Sequence, residues 1–260
     1  MDPDRNLRGG DPAVGSLSRV FLMKFAILSD VHGNDIALRN CLDYCSREGV
    51  DKIIFLGDAI GYLPDPNNVL NILKRKSAEF LIGNHEAMLL GYLKIEHQKD
   101  LSYQLQNIKN KISKGNLKYL TGKVPYLLMK AKRKNVLCVH GSPWDPLTGY
   151  IYPDFRMSAF NRLPFDVIFQ GHTHYPFIKK SGKITIVNVG SCGLPRDQGG
   201  LSSFALYDTD DDSPTVIRVP FNVQDVIDRY GDDISSDVAR CLLRTPKQKP
   251  FGRIMEGLME

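Results

Sequence analysis

The sequence has no run of about eighteen apolar residues, so nothing in it is suited to a membrane-spanning helix. Its first twenty-two residues, MDPDRNLRGGDPAVGSLSRVFL, carry charges and glycines where a secretory leader needs an apolar stretch. Cytoplasmic localisation, with no membrane partner, is the expectation. Cys41, Cys45, Cys138, Cys192 and Cys241 are odd in number, irregularly spaced and without a C-x-x-C pair, which excludes a zinc knuckle and fits reduced thiols. Charge of one sign is also scarce. The formal net charge of +5 is modest for 260 residues, and the basic clusters KRK (74–76) and KAKRK (130–134) do not form a continuous arm. No nucleic-acid partner is expected, and no internal repeat or low-complexity tract stands out.

What is present is an ordinary globular composition, 42% hydrophobic and 24% charged. Residues 1–22 lack periodicity and are expected to form a disordered extension, either native or a remnant, before a domain at 23–221. From Met23 onward, short apolar runs alternate with helical patterns: KFAIL, DIALRNCLDYCSREG, DKIIFLG, NNVLNILKRK and EFLIG. That β-α-β-α-β order predicts parallel strands with crossover helices. Residues 86–130 read as helical and polar, without a strand. Next come strands NVLCVHG and DVIFQG, separated by a long loop and a short helix near DFRMSAFN. Hairpin-like runs follow, with turns at 181–182 and 208–213. Residues 222–260 are expected to form a helical tail packed on the domain, with TPKQKPFGR as a loop. The predicted fold is α/β, two mixed sheets packed as a sandwich flanked by helices.

Histidine is rare in this chain, with six in all. Five of them fall in glycine-containing motifs after apolar runs: DVHGN (His32), GNHE (His85), VHGSP (His140) and GHTH (His172 and His174). A further strand ends in Gly57 and Asp58. These motifs would project from the carboxyl ends of strands, where α/β folds place ligands. In extended backbone, residues i and i+2 face one side, so Asp30 with His32, and His172 with His174, would each offer two donors to one place. Imidazole, carboxylate and carboxamide donors without thiolate suit Mn²⁺, Fe or Zn²⁺ better than Ca²⁺, and are too many for one tetrahedral structural zinc. One histidine at a strand end is ordinarily structural; five at the same topological place define a site.

The ordered series DVHGN, GDAIGYLPDP, GNHE, HGSPWDPLTGYI, GHTH and NVGSCGLPRD resembles the calcineurin-like metallophosphoesterase superfamily, its small prokaryotic phosphoesterase-type members in particular, over about residues 23–210. The resemblance implies two divalent ions, Mn²⁺ first and Fe, Zn²⁺ or Ni²⁺ otherwise. Asp30, His32, Asp58 and His174 would hold one; Asp58, Asn84, His140 and His172 the other, Asp58 bridging. His85 matches the family's catalytic histidine, while Asn34 and Arg196 match positions facing substrate. The implied activity is hydrolysis of small phosphate mono- or diesters by attack of a metal-bound hydroxide, with His85 as general acid. GDAIGYLPDP lacks the arginine-bearing GDxxDRG pattern, which argues against a Ser/Thr protein phosphatase.

The alternative in another class is a metal-free or inactive scaffold that uses the same fold to bind proteins. That reading predicts eroded ligands, yet all seven positions carry coordinating side chains. Cys192 has no separate base and is not expected to act as a nucleophile. Trp144 and Tyr150 either cover the core or stack on a substrate ring, with packing the preferred reading. The sequence leaves oligomeric state and the physiological substrate open.

Overall fold

The run KFAIL becomes β1 (Lys24–Leu28), four of whose five residues are buried on alternating faces. Both faces must therefore be covered, and the rest of the fold supplies the two covers. The computed structural model describes residues 23–255 except 212 and 247; the expected extension at 1–22 and the end of the tail at 256–260 lie outside the described residues. The first crossovers follow as α1 (Asp35–Arg47), β2 (Lys52–Phe55), α2 (Pro66–Arg75) and β3 (Glu79–Phe80). Each helix start is fixed locally. Asn34 caps α1 by accepting from the Ala37 N–H, and Asp65 caps α2 by accepting from Asn67 and Asn68, with Pro66 in the first turn.

Four short helices come next: α3 (Asn84–Leu89), α4 (His97–Tyr103), α5 (Leu105–Lys111) and α6 (Lys114–Leu120). β4 (Tyr126–Ala131) then pairs antiparallel with β5 (Lys134–Val139). The sequence pattern placed no strand between residues 86 and 130. YLLMKA is an edge strand whose half-buried and exposed residues are all apolar through Met129, so no polar alternation marks it. β6 (Val167–Gln170), β7 (Phe177–Ser181) and β8 (Ile184–Asn188) complete a five-stranded sheet of order β4-β5-β6-β8-β7. The expected helix near Phe155 is a single 3₁₀ turn, Met157–Phe160. β9 (Leu201–Asp208) and β10 (Ser213–Pro220) return to the first sheet, giving six strands in the order β11-β10-β9-β1-β2-β3, where β11 is Arg253–Ile254. The two residues of β11 fall where the sequence suggested a loop; they pair parallel with Ile217 and Arg218.

The sheets are mixed and packed face to face. Phe25, Ile27 and Ile54 of the first sheet meet Val136, Cys138, Val167 and Phe169 of the second. Ala26, Leu28 and Phe55 point the other way and pack under Leu38, Leu42, Val69 and Leu73 of α1 and α2. The two mixed sheets flanked by helices are thus the expected architecture. α7 (Val223–Tyr230) and α8 (Ser236–Leu242) bury Val226, Val238 and Leu242 against Ala37, Leu63 and Leu194. This places the two C-terminal helices beside the strand-end loops. No helix among the described residues is long and apolar enough to cross a membrane.

Candidate metal centre

Within each sheet the strands that end in the histidine motifs run parallel, so their loops rise at one edge of it. The loops after β1 and β2 are zipped together: the N–H groups of Asp30, His32 and Gly33 donate to the carbonyls of Gly57, Asp58 and Ala59 at 2.9–3.0 Å. At their centre, Asp58 Oδ2 lies 3.8 Å from His32 Nε2, 3.9 Å from His85 Nε2 and 3.4 Å from His140 Nε2. Asp30 Oδ1 lies 3.3 Å from His174 Nε2 and 3.8 Å from His32 Nε2. The donors therefore fall into neighbouring groups. Asp30 collects with His32 and His174, Asp58 with His140 and His172, and Asp58 also with His32 and His85. Asn84 Oδ1 joins the second group, 3.0 Å from His140 Nε2. All are buried.

His172 and His174 do not share a place, contrary to the expectation from extended backbone. Asp30, His32, Asp58, His172 and His174 all have left-handed backbone, with φ between 52° and 66°. Each such residue costs about 1 kcal/mol relative to ordinary backbone, and this strain is concentrated at the site. Turning the chain at each donor sends His172 toward His140, Nδ1 to Nε2 at 3.1 Å, and His174 toward His32, Nε2 to Nε2 at 3.1 Å.

That closeness tests whether cations fit. His32 Nδ1 donates to Ile60 O (3.1 Å), His140 Nδ1 to Leu56 O (3.2 Å) and His174 Nδ1 to Leu194 O (2.6 Å). A carbonyl only accepts, so the proton of each neutral ring sits on Nδ1 and the bare Nε2 lone pair points inward. Facing lone pairs repel unless a cation or proton lies between them. Asp30 Oδ1 and His172 Nε2 are buried without a hydrogen-bond partner, which such polar atoms seldom are. The site favours positive charge: burial alone would lower the pKa of His140, but the Asp58 carboxylate outweighs it and raises it to about 9. Burial likewise would raise Asp30, while the charge of His174, whose Nε2 lies 3.3 Å from Oδ1, holds it well below the usual carboxylate range. The residues present fit bound divalent metal ions.

Glycines set the close approaches. A Cβ on Gly83 would lie 2.2 Å from Asp58 Oδ1, and one on Gly61, whose φ is +98°, would lie 2.0 Å from His85 Nδ1. Glu86, missed in the sequence although it completes GNHE, organises the loop beneath. Its two carboxylate oxygens accept from the N–H groups of Asp58, Ala59, Ile60 and Gly83 at 2.8–3.3 Å. Burial and the nearby Asp58 charge push its pKa up to about 7, whereas those backbone donors favour the ionised form. An acid three residues after a glycine at the start of a helix, the spacing of a capping box, was the available signal.

The other sequence candidates divide. His85 has Nδ1 without a partner, and its ring lies between those of His32 (4.8 Å) and Tyr103 (4.4 Å). Arg196 borders the centre: its N–H donates to His174 O (3.3 Å) and its Nη2 to the Tyr62 hydroxyl (3.3 Å). Asn34 is turned into the loops. Its oxygen accepts from Ala37 N–H and its nitrogen donates to Gly193 O, so both ends of the amide brace the loops. Cys192 is buried with its Sγ 3.3 Å from that of Cys41, and burial pushes its thiol well above the usual range, which removes the thiolate a nucleophile needs. Trp144 packs on Phe160, whereas Tyr150 lies over His172 at 4.2 Å and stands beside the centre. His97 is exposed elsewhere.

A fold with this edge and this donor set defines a class of metal-binding α/β sandwich, and comparison with known proteins gives the class its family. The calcineurin-like phosphoesterase superfamily domain matches residues 23–212, and the chain belongs to that superfamily. The protein MJ0912 of Methanocaldococcus jannaschii is 30% identical over 216 residues, 76% of this chain and 88% of its own. Phosphodiesterase YfcE of Escherichia coli is 22% identical over 199 residues, 73% of this chain and 89% of its own. Among solved structures, a metallophosphoesterase from Sphaerobacter thermophilus is similar with a TM-score of 0.71 at 26% identity, over 85% of this chain and 98% of that one.

Proposed function

We propose that this chain is a hydrolase of phosphate mono- or diesters that works with two divalent cations. The observation that carries the reading is the pair of donor groups meeting at Asp58, with imidazole nitrogens turned inward toward one another. Asp30, His32, Asp58 and His174 would hold one ion, and Asp58, Asn84, His140 and His172 the other. Such ions supply polarisation of a phosphoryl group and make water acidic enough to attack at neutral pH. Imidazole, carboxylate and carboxamide without thiolate suit Mn²⁺ first, with Fe, Zn²⁺ or Ni²⁺ also compatible.

The chain's own residues divide the remaining work. The carbonyls of Ile60, Leu56 and Leu194 hold three histidines in one tautomer, so those rings stay aimed inward. No such anchor fixes His85, whose Nδ1 is unbonded and whose ring can carry a proton on either nitrogen. His85 is the group we assign to protonate the leaving oxygen. Arg196 stands at the rim, where a guanidinium can hold a phosphate oxygen. Diesters are the first substrates to try, because the relative YfcE carries that activity in its name.

The test is direct. Protein stripped with chelator and reloaded with Mn²⁺ should bind two ions per chain and hydrolyse bis(p-nitrophenyl) phosphate or p-nitrophenyl phosphate, activity that chelator abolishes. Fewer than two ions bound, or full loading with neither ester hydrolysed, would falsify the reading.

A further inference from the structure

Two cavities border the centre, of about 370 and 770 Å³. Arg196 and Arg244 line both and so form their common wall. The larger has Tyr175, Phe177 and Phe251 on its apolar side and Lys249 as a third cation. It begins one residue beyond His174. Arg244 and Lys249 lie past residue 212, outside the part of the chain that matches the family domain. Arg244 is fixed by donating from Nη1 to the Arg196 carbonyl at 2.6 Å.

The charges in these walls do not balance. Asp197, which lines the larger cavity, is held at both oxygens by the buried Arg218, and Asp237 of the smaller one by Arg240. Among the described residues, Arg196, Arg244 and Lys249 have no carboxylate partner. Three unneutralised cations around a cavity of this size ask for an anion with several charged oxygens.

The aromatic side runs toward the same place. Tyr150 lies over His172, Tyr152 stacks on Tyr150 with ring centroids 5.9 Å apart and planes 5° from parallel, and Tyr175 follows at 6.3 Å from Tyr152. Tyr150 and Tyr152 are 55% and 42% exposed, and Tyr175 carries this row of rings into the lining of the larger cavity.

We infer that the larger cavity is the subsite for the organic part of the substrate, and that it takes a nucleotide bearing a second phosphate. The base stacks on the tyrosines, and Arg244 and Lys249 hold the phosphate that is not cleaved. This rests on the phosphoesterase reading above and adds to it the class of ester. Hydrolysis of such a diester adds the oxygen of water to phosphorus and breaks one P–O bond, with the departing oxygen taking a proton, so no oxidant or reductant is required.

The test compares thymidine 5′-(p-nitrophenyl phosphate) with its 3′-phosphorylated counterpart, which differs by the second phosphate alone. Mn²⁺-loaded protein should favour the 3′-phosphorylated ester by about tenfold or more in kcat/KM, the size expected of one charge-assisted contact. Arg244→Ala and Lys249→Ala should each bring that ratio toward one, mainly through KM, and Arg244→Lys should restore part of it. Both positions are exposed, so the variants should fold, which unfolding curves will check. Calorimetry on the metal-free protein gives a second readout: thymidine 3′,5′-bisphosphate should bind about tenfold more weakly to Arg244→Ala. Equal turnover of the two esters by a protein that does cleave bis(p-nitrophenyl) phosphate, with bisphosphate binding indifferent to Arg244, rejects the subsite and leaves the phosphoesterase reading standing. Arg244-dependent binding without hydrolysis of any ester keeps the subsite and rejects the phosphoesterase reading.

Discussion

An imidazole whose Nδ1 is bonded to a backbone carbonyl has one nitrogen left for chemistry, and His32, His140 and His174 all spend it facing another donor. His85 is free of that restraint. The difference predicts how two substitutions diverge. His85→Asn should depress hydrolysis of an alkyl phosphodiester by about 10² or more, the scale of general acid catalysis, while a nitrophenyl ester suffers far less because nitrophenolate leaves without a proton. Metal content should stay near that of the parent. His140→Ala should instead lower metal content and slow both esters together. Equal losses on the two esters for His85→Asn, with metal released, would make His85 a ligand. At this scale the sequence was legible where a rare residue type repeated at one topological place, as for the five histidines. Asn34 was not, because an asparagine before a helix serves equally as a cap or a contact, and only its two hydrogen bonds decide.

The strand-end loops hold their donors by conformation that apolar periodicity does not encode. The extended-chain rule failed for His172 and His174 because left-handed backbone at each turned their side chains apart. Only the steric licence of neighbouring glycines hinted at it. Within the loop after β2, Glu86 is the fixed point, since it gathers four backbone N–H groups that are otherwise buried. Glu86→Gln puts an amide NH₂ against some of those donors and should cost about 2 kcal/mol or more of stability, read from denaturant unfolding. Metal affinity should fall with it, because the same loop carries Asp58. Gly61→Ala probes the adjacent side: the added methyl group meets His85 Nδ1, so activity on alkyl esters should drop at nearly unchanged metal content. Loss of both metal and activity on every ester would show instead that the whole loop had moved. Among strands, β4 was illegible because an edge strand with apolar residues on both faces has no alternation to read.

For the whole molecule, the order of parallel crossovers and the later hairpins could be read from periodicity and turns, since both patterns reflect which faces are buried. The pairing of β1 with β9 could not, because it joins strands some 180 residues apart with no local signal. Metal binding should act on the molecule as a unit. With free ion at a hundredfold excess over its Kd, each ion bound stabilises the folded state by about 2.7 kcal/mol, so chelator should lower the melting temperature by about 5–10 °C per ion removed for a chain of this size. An unchanged melting temperature would show that these donors bind no ion tightly. The β1–β9 pairing has one more consequence, which concerns synthesis. β1 leaves the ribosome well before β9, so its second edge stays unpaired until Leu201–Asp208 has been made. Until then the growing chain presents an apolar strand edge to its neighbours, the kind of template on which chains associate. A chain ending at residue 200 should therefore accumulate in the insoluble fraction, whereas one ending at 245, which has β9, β10 and both C-terminal helices, should stay dispersed.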